Sequence, residues 1–165
     1  MNRLLIGNIV SLVASIIAVL IGFIKEQRKT LIVQLIDFVL LATANLILNG
    51  ISGVITNVVS FIRNLICLKF KFNTALKVIF MAIQAVLIYF FNSEGIFAIF
   101  PFLAVLILTV FIDAKNIKVF KASISVSQVF WIIYDLSIIN ISSFIFDTML
   151  LITNTVTLYK IAKNK

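Results

Sequence analysis

Seven apolar runs divide the chain almost from end to end: about Leu4–Ile24, Leu31–Asn49, Ile51–Leu68, Leu76–Phe91, Gly95–Ile112, Ala122–Ile139 and Ile141–Tyr159. Each is near the roughly 20 residues that cross about 30 Å of hydrocarbon at 1.5 Å per residue. Lipid offers no hydrogen-bond partner to a peptide group, so a spanning segment must be a helix or part of a closed barrel. The runs lack the apolar–polar alternation of barrel strands. They predict an all-α integral membrane protein with seven transmembrane helices. Composition agrees, because only 12% of residues are charged against about a quarter in soluble domains. The first run exceeds a signal-peptide core, and the "GFIKEQ" that follows offers no A-x-A-like cleavage site, so it is read as a helix.

A net charge of +8 invites a nucleic-acid reading, but the placement of the charges excludes it. Lys25, Arg28 and Lys29 follow the first run; Lys69, Lys71 and Lys77 surround the third turn. Lys115, Lys118 and Lys121 follow the fifth run, and Lys160, Lys163 and Lys165 close the chain. If seven helices alternate, all these cations share one side, leaving Arg3 and loops such as "NSEG" on the other. The positive-inside rule then places the N-terminus outside and the C-terminus in the cytoplasm. With no histidine and the single cysteine Cys67, there is no metal or haem ligand set and no internal disulfide. No cofactor is expected.

Shifted by ninety residues, the pattern overlays itself. The first three spans land on the last three, with one unpaired span between them, giving a 3+1+3 order. As a single membrane domain this comprises repeat 1 (residues 1–70), a linker helix (71–93) and repeat 2 (94–165). An odd linker gives both three-helix units the same orientation, a parallel repeat about the membrane normal. "GISGVITNVVSFIRN" (Gly50–Asn64) overlays "NISSFIFDTMLLITN" (Asn140–Asn154). Asn57 meets Asp147, Asn64 meets Asn154, and Asn45 on the second span meets Asp135 on the sixth. Seven residues is nearly two helical turns, so Asn57 and Asn64 share one face, as do Asp147 and Asn154.

Intramembrane polar groups cost free energy and should face a partner or water. Asn57, Asn64, Asp147 and Asn154 suit either a shared cavity or interhelical hydrogen bonds. On the sixth helix Gln128, Trp131 and Asp135 fall on one face, where Trp131 would stack on a ring or sugar face with polar groups orienting it. Ordinary helix packing is the competing reading. Asn45 and Asp135 are placed at an outer entrance. Arg63 and Asp37 lie at similar depth and are expected to form a structural ion pair, or Arg63 to reach the headgroups. Pro101, lacking an N–H, is a candidate hinge in the fifth helix.

A 3+1+3 order with matched polar residues on the third and seventh helices resembles the superfamily of SWEET sugar transporters and PnuC vitamin transporters. More closely, "KTLIVQL" and "LNGISGVITNVVSFIRN" resemble the YgjV-type bacterial inner-membrane family, through Gln34-Leu35, Leu48-x-Gly50, Gly53 and Ile62-Arg63. The Pro-Gln signature of the related PQ-loop proteins is absent, and Pro101 is the chain's one proline. The resemblance implies a multi-pass protein of the bacterial inner membrane that moves a small solute: a sugar, a ring-bearing vitamin or a small cation. The substrate-binding set would be Asn57, Asn64, Gln128, Trp131, Asp147 and Asn154. Its partners would be the lipid bilayer and that solute, with self-association into a homo-oligomer left open. The alternatives are a non-transporting scaffold or partner subunit and, remotely, an intramembrane aspartyl protease built on Asp135 and Asp147. "YD" at Tyr134-Asp135 matches half of that protease signature, but Asp147 lacks the Gly-x-Gly that precedes the second aspartate. No enzymatic activity is expected.

Overall fold

The computed structural model describes residues 2–163; Lys165 of the last basic cluster lies outside them. Seven α-helices follow one another: α1 (Arg3–Phe23), α2 (Gln27–Leu48), α3 (Ile51–Lys69), α4 (Thr74–Phe91), α5 (Ile99–Phe111), α6 (Ile117–Ser137) and α7 (Ile141–Lys163). Asparagine opens four of them. The side chains of Asn2, Asn73, Asn116 and Asn140 accept from the backbone N–H of Leu4, Leu76, Lys118 and Ser143, satisfying donors that have no partner inside the helix.

Several helices outrun their apolar stretches. α2 starts at Gln27, α6 at Ile117, and α7 continues to Lys163. Lysine and arginine favour helix and reach out of the membrane along their own stems, so charge does not end a helix at the headgroups. The fifth run behaves differently. Gly95–Ala98 form a 3-10 turn and only Ile99–Phe111 are α-helical. Six helices are long and apolar enough to cross a membrane; the composite Gly95–Phe111, at 17 residues, is shorter. A 3-10 turn rises about 2.0 Å per residue, which brings that composite to roughly 27 Å.

Pro101, the candidate hinge, sits in the first turn of α5, just after the 3-10 turn. There a missing N–H breaks little of the helical ladder, so the residue imposes no mid-helix break.

α1 carries a seam of small buried residues: Gly7, Ser11, Ala14, Ser15, Ala18 and Gly22. Small residues let backbones approach closely in a membrane. A Cβ on Gly7 would come within 2.5 Å of Leu48 on α2, and one on Gly22 within 3.2 Å of Leu150 on α7. α1 accordingly packs against α2 and α7. α2 also packs on α3, α6 on both α5 and α7, and α3 touches α5. These six helices close a ring. α4 lies outside it against α3 and α5, burying only Phe80, Gln84 and Ile88, with Gln84 donating to Thr56 of α3 at 3.2 Å.

Hydrogen bonds define the two ends of the ring. At one end Arg3 reaches the α2–α3 turn through Ile47 O and Asn49, Asn8 reaches the α6–α7 turn through Ile139 O, and Glu94 reaches Ser52 at the start of α3. At the other, Gln27 donates to Ile112 O, and Lys77 meets Asp113 at 2.5 Å. The helices therefore alternate in direction. Every lysine and arginine among the described residues, except Arg3 and the mid-helix Arg63, gathers toward this second end.

Candidate functional site

A cavity of about 50 Å³ sits inside the ring. All six ring helices line it and α4 contributes nothing. Its floor toward the cationic end is apolar, made by Ile21, Leu108, Ile124 and Leu150, with Leu31, Phe72, Ile112 and Phe120 packed into the core beyond. Its walls are polar. α2 supplies Gln34, Asp37 and Asn45; α3 supplies Asn57; α6 supplies Ser127, Gln128, Trp131 and Asp135; α7 supplies Ser143 and Asp147.

Helical spacing places these groups together. Gln34 and Asp37 are three residues apart on α2, Gln128 and Asp135 seven apart on α6, and Ser143 and Asp147 four apart on α7, so each set shares a face. Asp135, Asp147 and Gln128 are close neighbours in the cavity wall. Asp37 is close enough to Asp147 for the two charges to interact. Three carboxyls thus line one small cavity without converging on a single point. Trp131 sits edge-on to Tyr134, with ring centroids 5.8 Å apart.

Glycine brings the upper wall together. The Gly53 N–H donates to the Tyr134 hydroxyl at 2.9 Å, and Asn57 donates back to Gly53 O at 2.9 Å. A Cβ on Gly53 would lie 2.5 Å from Asn45 Nδ2 and 2.9 Å from Tyr134 Cε1. Only a residue without a side chain lets α2, α3 and α6 meet here.

Of the binding set expected from sequence, Asn57, Gln128, Trp131 and Asp147 line the cavity, whereas Asn64 and Asn154 do not. Asn64 donates to Gln34 at 3.0 Å and accepts from Arg63. Asn154 donates to Lys121 O at 2.7 Å and to Ser125 at 2.8 Å. Both are interhelical ties. Asn45 and Asp135, expected at an outer entrance, are 2% and 3% exposed and face the cavity interior.

Arg63 and Asp37 form no ion pair. The Arg63 guanidinium is fully buried, donating to Thr109 of α5 at 2.9 Å and to Asn64. It does not reach the headgroups either. Asp37 turns instead into the cavity, where sequence reasoning had not put it. Gln34, Ser127 and Ser143 were also missed. Their signal was Gln34 three residues before Asp37, and the ninety-residue partners of Asp37 and Gly53, which are Ser127 and Ser143.

A family model described as bacterial inner membrane protein, Imp-YgjV, matches residues 5–165. The chain belongs to the YgjV family of bacterial inner membrane proteins. That membership makes it a multi-pass protein of the bacterial inner membrane. No curated protein and no solved structure matches it. The resemblance of Leu48–Asn64 to this family therefore extends along nearly the whole chain, and the cavity is the feature on which a function for this YgjV-family protein has to be argued.

Proposed function

We propose that this YgjV-family protein is a small-solute transporter or facilitator whose substrate passes through the cavity inside the ring. The observation that carries the reading is the cavity itself, lined by six helices and walled by polar side chains from four of them, α2, α3, α6 and α7, that are apolar outside. Packing alone rewards no such space, because burying unpaired polar groups in a membrane protein costs free energy unless something fills the site.

The neighbour pattern supports two parallel three-helix repeats, residues 1–70 and 94–165, joined by the linker at 71–93. Replacing α1, α2 and α3 by α5, α6 and α7 turns each packed pair into another packed pair: α1–α2 into α5–α6, α2–α3 into α6–α7, and α1–α7 into α5–α3. The turns repeat as well. Gly50 N–H donates to Asn45 O at 2.8 Å, and ninety residues later Asn140 N–H donates to Asp135 O at 2.9 Å. This is the arrangement the SWEET and PnuC resemblance implies, with a site at the interface of the units. Rocking one unit against the other would open the cavity to either side in turn.

Counterflow into proteoliposomes tests the reading, with sugars, ring-bearing vitamins and small amines as solutes. The expected result is uptake above empty vesicles for one class, lost in Asn57→Ala and Asp147→Asn and kept in the lipid-facing Ile9→Ala. Folded protein that moves none of them would leave the scaffold reading in its place. Asp135 and Asp147 are also close neighbours, as an aspartyl protease requires, but a cavity of about 50 Å³ holds only a few water-sized groups, too little for an extended peptide.

A further inference from the structure

Five buried side-chain atoms lining the cavity have no hydrogen-bond partner: Asp37 Oδ1, Asn45 Oδ1, Asn57 Oδ1, Asp135 Oδ2 and Ser143 Oγ. Every one is an oxygen, on residues at most 5% exposed. Buried acceptors are nearly always paired, and each unpaired one carries a desolvation cost. Four of the five are carboxylate or amide oxygens, which accept and do not donate. Those five oxygens lack a donor or a counter-charge.

The protein supplies none. No lysine or arginine lines the cavity. Arg63 and Lys121 are buried deeply enough to compensate a carboxylate, and both are engaged elsewhere: Arg63 with Thr109 and Asn64, Lys121 with the carbonyls of Ile21 and Gly22 at the end of α1. A buried charge without partner or counter-ion is strongly disfavoured in a membrane, and here three carboxyls line one cavity.

Resting on the transporter reading of the same cavity, we propose that it binds a small monovalent cation, either an inorganic ion or a primary ammonium, through the oxygens of Asp37, Asn45, Asn57, Asp135 and Asp147. Size limits the occupant: about 50 Å³ admits a desolvated ion with one or two waters, or methylammonium, and excludes a sugar ring. Charge number follows from geometry. Among the described residues no three acidic groups converge closely enough to hold a metal ion, so the cavity lacks the crowd of charged oxygens with which a dedicated Ca²⁺ site is built. Trp131 on the wall adds a π-face to which an ammonium is attracted.

Trp131 is the chain's single tryptophan, so its emission reports on this cavity alone. Full-length protein in detergent is titrated with sodium, potassium and methylammonium chloride, with N-methylglucamine chloride as the ionic-strength control and magnesium chloride as the divalent one. A saturable emission change with a small monovalent cation, accompanied by a rise in Tm, is expected; which salt produces it separates ion from ammonium. Asp135→Asn and Asp37→Asn should weaken the response about tenfold or more, while Asp113→Asn, paired with Lys77 at the cationic end, leaves it unchanged. If Asp135→Asn does not fold, Asn57→Ala serves in its place. An emission that follows ionic strength alone, a response to magnesium only, or one that survives Asp37→Asn overturns the proposal. Failure here with solute counterflow intact would remove the cation and keep the transporter; a cation response without counterflow of any solute would do the reverse.

Discussion

Ile139 ends α6 with φ 58°, and Asn49 ends α2 with φ 65°. The left-handed region suits asparagine, whose short polar side chain bonds locally, and crowds a β-branched Cβ at about 1–2 kcal/mol. The first turn was legible in "NG", a standard turn signal; the second was not, because isoleucine announces continuation of a helix or strand. Its geometry matches that of the α2–α3 turn ninety residues earlier and does not follow from the residue. Ile139→Asn should therefore stabilise the protein by about 1 kcal/mol, read as a higher Tm in detergent. Ile139 is 55% exposed, so little packing is lost in the exchange, and an unchanged or lower Tm would show that its contact with lipid or detergent outweighs the strain. Asp37 and Arg63 teach a related lesson. Equal depth on neighbouring helices suggests a pair, yet depth fixes only one coordinate. Rotation about each helix axis decides the partner, and α2 turns Asp37 inward while Arg63 faces Thr109 and Asn64.

At the scale of elements, the α3 and α7 N-termini are each capped from a distant part of the chain. Ser142 N–H donates to Asn8 of α1 at 3.0 Å, and Ser52 N–H to Glu94, just before the 3-10 turn, at 3.2 Å. Helix starts attract acceptors and negative charge, and these two bonds stitch α7 to α1 and α3 to the segment that leads into α5. Asn8→Ala and Glu94→Ala should each lower stability by about 1 kcal/mol. Because the bonds lie at separate helix starts and share no partner, the double variant should lose close to the total of the two. Thermal melts of the three variants check this, and a marked excess in the double variant would mean that the two caps act through one cooperative opening. None of this was visible in sequence. The elements themselves were, since apolar runs of spanning length can be little else in lipid. What sequence misjudged was the fifth run, where continuous apolarity hid a change from 3-10 to α-helix, and the side-chain partners of Asn64 and Asn154, which periodicity placed on a polar face without saying whether that face met a cavity or another helix.

For the whole molecule, orientation is the property on which the direction of any transport depends, and it follows from the distribution of charge over the two ends. Lys25, Arg28, Lys29, Lys69, Lys71, Lys77, Lys115, Lys118, Lys121, Lys160 and Lys163 lie toward one end, and Arg3 alone marks the other. Lysine and arginine in short loops are retained in the cytoplasm during insertion, and no loop between these helices is long enough to escape that rule. Alternation of seven helices then predicts an N-terminus outside. The apolar floor of the cavity faces the cationic end, while Asn45, Asp135 and Ser143 lie within a turn or so of the opposite one. A fluorescent protein that folds only in the cytoplasm should be bright when fused to the C-terminus, and alkaline phosphatase, active only outside, should be silent there. Fused within the "NSEG" loop at Asn92–Gly95, the phosphatase should be active. Replacing Lys25, Arg28 and Lys29 by glutamine should weaken this bias without reversing it, because eight cations among the described residues remain at the same end. Phosphatase activity at the C-terminus of the unaltered chain would invert the assignment, and the cavity would then open toward the cytoplasm.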